Sequence, residues 1–367
     1  MPPSEMDFSQ TKRVMIYRLG SLGDTLVALP ALHLVARRFP NAKRLMLTNA
    51  PVHAKAPAAS AVLEGSRLID GYISYPVGLR SLVALVKLFW KIRTFRPQAL
   101  VYLTKSRGEK VVRRDQWFFR LCGISEIIGL PMGELAQPFH LPERGLWERE
   151  SARLVRTICE LGECDPEEMR NWDLGLTGAE KDAARKALTP TAGMPLIVCG
   201  PGTKMQAKDW GEENWRRLLL KLSEALPNHA LALVGAKEEA GMSQRAASGW
   251  RGPVVNLCGQ LTPRETAAAL CGAELFLGPD SGPMHLAAAA GVPCAIAFAA
   301  RTRPGIWYPV GQANRIVYHE VDCAGCNLES CTEQKKKCLT SISVDEMLTA
   351  ALDAWSDGRR ERNSRAV

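Results

Sequence analysis

Short apolar runs alternate with longer segments of helical character along the whole chain, and the cycle runs twice. In the first half the runs are "VMIY", "RLMLTN", "GYISYP", "ALVYLT" and "EIIGL". After the polar stretch "GECDPEEMRNWDLGLTGAEKDAARKALTPTAG" the cycle restarts with "PLIVCGPG", "ALALVG", "VVNLCG", "ELFLGPD" and "CAIAFA". Each parallel strand pairing needs a crossover, and a helical crossover covers a face, so this alternation predicts parallel sheets with helices on both sides. At 367 residues the chain is longer than one ordinary core organises. We therefore expect an α/β protein of two Rossmann-like, doubly wound parallel-sheet domains, residues 1–192 and 193–367, facing a cleft. The helix predicted over Gly178–Leu188 is assigned to the connection. "SVDEMLTAALDAWS" reads as a C-terminal helix with a Ser N-cap and an acid three residues on, and the polar tail "DGRRERNSRAV" as a frayed end.

Composition narrows the class. Hydrophobic residues make up 46% and charged residues 23%, which excludes disordered and fibrous chains. The eleven cysteines lie scattered in apolar stretches with no secretory leader ahead of them, which points to a reducing cytoplasm. No apolar run is long enough to span a bilayer. The net charge of +9 suits nucleic acid, an anionic bilayer surface or phosphorylated small molecules. Nucleic acid is disfavoured, because there is no aromatic-interleaved basic strand, zinc-finger histidine pair or helix-turn-helix pattern. In "RSLVALVKLFWKIRTFRP", from Arg80 to Pro97, one helical stripe holds Leu82, Leu85, Leu88 and Phe89, and Lys87, Lys91, Arg93 and Arg96 surround a Trp. Two readings stand: a helix packed on its sheet, or a contact with a membrane surface.

In a doubly wound sheet, ligands sit beyond the carboxyl ends of the strands, so the loops that follow strands are the ones to inspect. The first is "RLGSLGD". It lacks the Lys-Ser/Thr of a Walker A loop and the three glycines of a dinucleotide fingerprint. Gly20 and Gly23 allow a tight turn and close approach of a ligand, while Asp24 reads either as a helix N-cap or as a working carboxylate. The second, "GPDSGPMH", holds Asp280, Ser281 and Gly282, with Pro283 at the first helical position and His285 just inside. Such a turn aims backbone N–H groups and the positive helix end at a diphosphate. The third, "GPGTKMQAKDWGEENW", carries Lys204 and Lys208 ahead of a helix whose apolar face includes Trp215, Leu218 and Leu219. These lysines are either solvated or placed to neutralise a leaving nucleoside diphosphate. In the fourth, "LVGAKEEAG", Glu238 and Glu239 compete as partners for ribose hydroxyls.

The segments "RLGSLGDTLVALPALHLVARRFP", "GPGTKMQAKDWGEENW" and "GPDSGPMHLAAAAGVPCAIAF" resemble, in order and spacing, the hallmark segments of the family 9 glycosyltransferases, which include the lipopolysaccharide heptosyltransferases. The resemblance runs from about Arg13 to the C-terminal helix. It implies the two-domain GT-B fold and metal-independent, inverting transfer of a sugar from a nucleotide donor, usually ADP-heptose, to a glycolipid acceptor. Carried onto this chain, it makes Asp24 the base for the acceptor hydroxyl and brings Lys208 to the donor phosphates. Glu239 binds the ribose, and Asp280, Ser281, Gly282 and His285 hold the diphosphate. In "AFAARTRPGIWYP" the chain departs from many relatives, with Ala299 and Arg303 where a glycine and an acid are common.

Cys323, Cys326, Cys331 and Cys338 are spaced C-x2-C-x4-C-x6-C, which reads either as a structural zinc site or as free thiols. No catalytic cofactor is expected. The expectation is a cytoplasmic glycosyltransferase, peripheral on the inner face of the cytoplasmic membrane, adding a heptose to lipopolysaccharide or a related surface glycan. A GT-B enzyme using another nucleotide sugar and a non-catalytic nucleotide-binding scaffold are the alternatives.

Overall fold

All five runs read as strands in the first half are strands, and every one pairs in parallel. The elements are β1 (Arg13–Tyr17), α1 (Leu22–Leu26), α2 (Leu29–Arg38), β2 (Lys43–Asn49), α3 (Ser60–Leu63), β3 (Gly71–Tyr75), α4 (Leu82–Phe95), β4 (Ala99–Tyr102), α5 (Glu109–Leu121) and β5 (Glu126–Ile128). Two short strands, β6 (His140–Leu141) and β7 (Leu146–Trp147), and helix α6 (Glu150–Thr157) follow. The computed structural model describes Phe8 and residues 10–49, 58–76, 81–105 and 107–365. Arg80, which opens the basic stretch noted above, lies outside the described residues, as does Ser106. The sheet order is β3-β2-β1-β4-β5, so the winding reverses between β1 and β4. Tyr17 lies level with Leu47 on one side and Tyr102 on the other, which brings the carboxyl ends of three strands to one edge.

The second half repeats the plan: α7 (Gly178–Ala187), β8 (Leu196–Cys199), α8 (Glu212–Ala225), β9 (Ala230–Leu233), α9 (Ala240–Ala246), β10 (Val254–Asn256), α10 (Pro263–Leu270), β11 (Ala273–Pro279), α11 (Gly282–Ala289) and β12 (Cys294–Phe298). It ends with β13 (Arg315–Tyr318), α12 (Lys337–Thr340) and α13 (Val344–Arg365). The order β10-β9-β8-β11-β12-β13 is again parallel throughout and reverses between β8 and β11. β8, β9 and β12 are buried along their whole length, which is why they read as unbroken apolar runs. Trp215, Leu218 and Leu219 of α8 are fully buried in the core of this unit, together with Met347 and Ala351 of α13.

By contacts the chain divides into Met1–Leu141 with Glu148–Gly175, and Pro142–Trp147 with Leu176–Val367. The main division thus falls ahead of α7 and not at residue 193. The reason is local: α7 packs on α10, and Glu180 accepts from Arg264, whose Nη2 lies 3.0 Å from Oε2. Strand β13 was not expected, because it is short, half-buried, opens with Arg315 and follows β12 without an intervening helix. The tail read as frayed is helical to Arg365. Tertiary contacts hold it: Asp357 pairs with Arg315 on β13, and Gly358 lies so close to Pro293 that a Cβ would stand 2.1 Å from its Cγ. Ser343 does cap this helix, its N–H donating to Glu346 Oε2 at 2.8 Å while Glu346 N–H donates to Ser343 Oγ at 3.2 Å.

Helix α4 packs differently from its sequence stripe. Leu88 and Ile92 are buried, whereas Leu82, Val83, Leu85, Val86 and Trp90 are exposed. A single i, i+4 line meets the sheet, so most of the apolar residues face outward.

Candidate active site

In the first unit the loop after β1 is built around Arg18 and Gly20. Gly20 has φ +128°, and a Cβ there would stand 2.3 Å from Asp24 Cβ, so both its conformation and the space demand glycine. Its N–H donates to Asn49 Oδ1 at 3.0 Å, tying the loop to the end of β2. Gly23 is already the second residue of α1 and needs no such conformation, so it does not make the turn expected of it. The N-cap is Ser21 and not Asp24. Asp24 stands three residues on, and its Oδ2 accepts the Ser21 N–H at 2.8 Å and the Ser21 O–H at 3.0 Å. Its other oxygen, Oδ1, takes no hydrogen bond among the described residues, so one half of a half-buried carboxylate is anchored and the other is open.

Arg18 was not singled out in the sequence. Its buried guanidinium donates through Nε to the Asp24 carbonyl at 3.0 Å and through Nη1 to the Leu103 carbonyl at 2.5 Å, with Glu150 at 4.0 Å. It fixes the height of Asp24 from below. Beside it lies a second cluster that the sequence reading missed. The Tyr17 and Tyr75 hydroxyls are 2.9 Å apart, Arg107 Nη2 donates to Tyr17 at 3.0 Å and to Asp115 Oδ2 at 2.6 Å, and Tyr102 donates to Asp115 at 2.9 Å. Burial pushes the Tyr17 and Tyr102 phenols well above their ordinary range, so both stay protonated. The available signal was that β1, β3 and β4 all end in Tyr.

In the second unit Cys199, the last residue of β8, lies opposite Leu233, the last of β9, and Leu277, two residues before the end of β11. Gly200 N–H donates to the Leu277 carbonyl at 2.9 Å, and a Cβ at Gly278 would stand 3.0 Å from the Gly200 carbonyl oxygen. The two loops therefore leave the sheet from one place, at the reversal of the strand order. Lys208 Nζ from the first loop lies 2.6 Å from Asp280 Oδ2 of the second, with Asp280 buried and Lys208 partly so, at 5% and 14% side-chain exposure. Ser281 is the N-cap of α11, yet its hydroxyl caps nothing and is buried without a partner. Gly282 opens the helix and Pro283 is its second residue, one position later in the helix than expected, and His285 is buried with its ring 6.5 Å from that of Trp307.

Glu239, next to the β9 loop, accepts the Ala236 N–H at 2.7 Å, and a Cβ at Gly202 would meet its Cδ at 2.2 Å. Glu238 is exposed, so Glu239 is the acid that reaches the loops. Lys204 is exposed, yet partial desolvation by its surroundings lowers its pKa, and the nearby Glu239 charge opposes that fall. The second unit thus gathers two ammonium groups, an unpaired hydroxyl and the N-terminus of an eight-residue helix, which is the composition of an anion site.

Of the places where the chain departs from the motif pattern, Ala299 is buried and the Arg303 guanidinium lies 4.0 Å from the Trp147 ring centroid. Cys323, Cys326, Cys331 and Cys338 border one small cavity, and all four are free thiols. Among the described residues no group of three or more His, Cys, Asp or Glu takes up a metal-holding arrangement, so the four thiols do not fit the zinc reading as they stand.

Residues 158–337 match the model of glycosyltransferase family 9 (heptosyltransferase). Lipopolysaccharide heptosyltransferase 1 of Pseudomonas aeruginosa is 24% identical over 335 residues, covering 88% of each chain. The solved glycosyl transferase family 9 structure from Veillonella parvula superposes with a TM-score of 0.72 over 94% of this chain and 98% of its own, at 16% identity. The E. coli ADP-heptose lps heptosyltransferase II does so with a TM-score of 0.66, over 95% and 99%, at 14% identity. These likenesses agree with the GT-B fold of two Rossmann-order, all-parallel sheets. With the family model matched over residues 158–337, a relative aligned over most of its length and the fold in agreement, the chain is a glycosyltransferase similar to those of family 9.

Proposed function

We propose that the protein transfers a heptose from ADP-heptose, with inversion, onto the core of a lipopolysaccharide or a related surface glycan. The observation that carries the donor half is the unpartnered Ser281 hydroxyl at the start of α11, beside the Lys208–Asp280 pair. A buried hydroxyl without a partner is costly, and a diphosphate oxygen would satisfy it. Asp280 is a carboxylate and repels a diphosphate, so its part is to hold Lys208 in place. Lys208 and Lys204 then offset the charge that gathers on the leaving nucleoside diphosphate, which leaves no step that requires a metal ion. Glu239 takes the ribose hydroxyls, and Gly282 and His285 complete the phosphate turn. In the relatives' names the donor is ADP-heptose and the product lipopolysaccharide, and both enter the reading from there.

Asp24 is the base. The acceptor oxygen forms a bond to the anomeric carbon, the bond from that carbon to the phosphate oxygen breaks, and the nucleoside diphosphate leaves with the electron pair. The hydroxyl proton goes to Asp24, whose Oδ1 is open while Oδ2 is held by Ser21. A scaffold without activity has no use for a carboxylate positioned in this way. The Arg303–Trp147 stack, at a place where an acid is common in relatives, favours a different nucleotide sugar as the second reading. No described helix is long and apolar enough to cross a membrane. A lipid-anchored acceptor places the enzyme in the cytoplasm, at the inner face of the cytoplasmic membrane.

The test is calorimetry with ADP, UDP, GDP and CDP. ADP binding tightest supports the donor reading, tighter binding of another nucleotide selects the second reading, and no binding of any of them sinks both.

A further inference from the structure

The positive charge of this protein is concentrated. Residues 81–122 hold ten Lys/Arg against two Asp/Glu, a net +8 of the chain's +9. On the two helices of that segment stand large exposed apolar side chains: Leu82, Val83, Val86 and Trp90 on α4, at 77, 65, 53 and 60% exposure, and Trp117 and Leu121 on α5, at 64 and 50%. Among the described residues, Phe139 and Leu328 are the exposed large apolar side chains found outside these helices.

The helices are neighbours. Leu88 and Ile92 share one core cluster with Phe119 and Cys122, and Arg93 Nη1 donates to the Cys122 carbonyl at 3.4 Å. Their sheet-facing sides are therefore occupied, and the exposed residues form an outer surface. A helix on a water-facing surface ordinarily turns polar residues outward, whereas here Leu, Val and Trp do so. Val86 and Trp90 also line, with Ile73 and Phe95, an open groove of about 610 Å³ that includes Lys87 and Lys91. Lys87, Lys91, Lys110 and Arg120 are exposed and have no ion-pair partner among the described residues.

We infer that α4 and α5 form the face by which the protein lies on an anionic lipid bilayer. Val83, Val86 and Trp90 enter the boundary between headgroups and acyl chains, where Trp is at home, and the four unpaired cations meet lipid phosphates. Insertion or charge alone gives weak, reversible attachment, and this surface carries both. A second copy of the chain docked here would set +8 against +8 across a narrow gap, which opposes association. A nucleic acid would neutralise the charge but leave the Leu and Val side chains in water. The inference deepens the acceptor reading, since a lipid-anchored acceptor sits in such a surface, yet its observations come from α4 and α5 alone.

The experiment is sedimentation of the full chain with phosphatidylcholine vesicles, with and without phosphatidylglycerol. Binding about tenfold or more tighter to the anionic vesicles, weakened by salt, is expected. The Val86→Asp, Trp90→Asp double variant changes only exposed positions and should lose that binding by about tenfold or more, while its ADP affinity and its turnover on a delipidated acceptor match wild type. Equal binding to both vesicles, a double variant that binds like wild type, or a dimer in light scattering that the double variant abolishes would each overturn the inference. So would binding of single-stranded RNA that outcompetes anionic vesicles. Anionic vesicle binding without any sugar transfer leaves this inference standing and removes the acceptor reading; turnover without vesicle preference does the reverse.

Discussion

The two units share a strand order, and their key loops use it in opposite ways. In each sheet the winding reverses beside the first strand of the unit, β1 in one and β8 in the other. After β1 the chain presents a carboxylate, with Arg18 gripping the Asp24 backbone from the buried side and Ser21 holding one side-chain oxygen. After β8 and β11 it presents cations and a helix N-terminus, with Asp280 turned onto Lys208. On the function proposed above, the same topology supplies a proton acceptor in one unit and an anion holder in the other. The difference lies in which charge is spent on holding its partner in place. Arg18 supports Asp24 in the first unit and Asp280 pairs with Lys208 in the second, and in the proposed function the groups left to act are Asp24 and Lys208.

That contrast can be broken by substitution, and the largest effect is expected at Asp24. Asp24→Asn keeps the size and an acceptor for Ser21, so the fold and ADP affinity should hold while kcat falls by on the order of 100-fold or more. Turnover within about threefold of wild type, measured as nucleoside diphosphate release, would reduce Asp24 to a helix-end residue. Next comes Lys208→Ala, which should weaken nucleoside diphosphate binding by about 1 to 3 kcal/mol through loss of a charge-assisted hydrogen bond. Unchanged affinity by calorimetry would take Lys208 out of the donor site. Asp280→Asn sharpens the same point: if the carboxylate only positions Lys208, affinity should fall less than in Lys208→Ala, and a larger fall would give Asp280 a contact of its own.

A smaller effect is expected at Gly202. A methyl there meets the Glu239 carboxyl, so Gly202→Ala should displace Glu239 from the Ala236 N–H and weaken ADP binding by about 1 kcal/mol. The comparison compound is ADP lacking the ribose 2′-hydroxyl. If the variant discriminates the two nucleotides as well as wild type does, Glu239 is not the 2′-hydroxyl's partner. The smallest effect is expected at Ser21. Ser21→Ala removes one O–H donor to Asp24, for a stability loss of about 0.5 to 1.5 kcal/mol in denaturant unfolding and a change in kcat far below that of Asp24→Asn. A kcat loss as large as that of Asp24→Asn would mean that Ser21 itself contacts the acceptor.

Much of this was legible before any coordinates. Strands buried on both faces announce themselves as unbroken apolar runs, and β1 to β5 and β8 to β12 stand where the runs placed them. The Ser–Gly–Pro start of α11 was readable because a capping position and a proline at the helix start are local requirements. What failed to show was everything that depends on a distant partner. β13 is half-buried and opens with arginine, and the last turns of α13 are polar; both are held by Asp357 and Arg315, far apart in the chain. The stripe of α4 left both readings open, sheet or membrane surface, because periodicity fixes which residues share a face and not which face meets the core.

By itself the sequence determined the class of fold, the order of the strands' loops and the identity of the residues those loops carry, since all three are written in short-range pattern and spacing. Tertiary structure alone decided the pairing of Lys208 with Asp280, the clamp of Arg18 on Asp24, the orphaned Ser281 hydroxyl and the outward turn of Leu82, Val83, Val86 and Trp90. The physical reason is that a charge or an apolar side chain acquires its role from what lies within a few ångströms of it: Lys208 and Asp280 are brought together by parallel crossovers across tens of positions, and even Arg18 and Asp24, six apart, meet only because the loop after β1 folds back on itself.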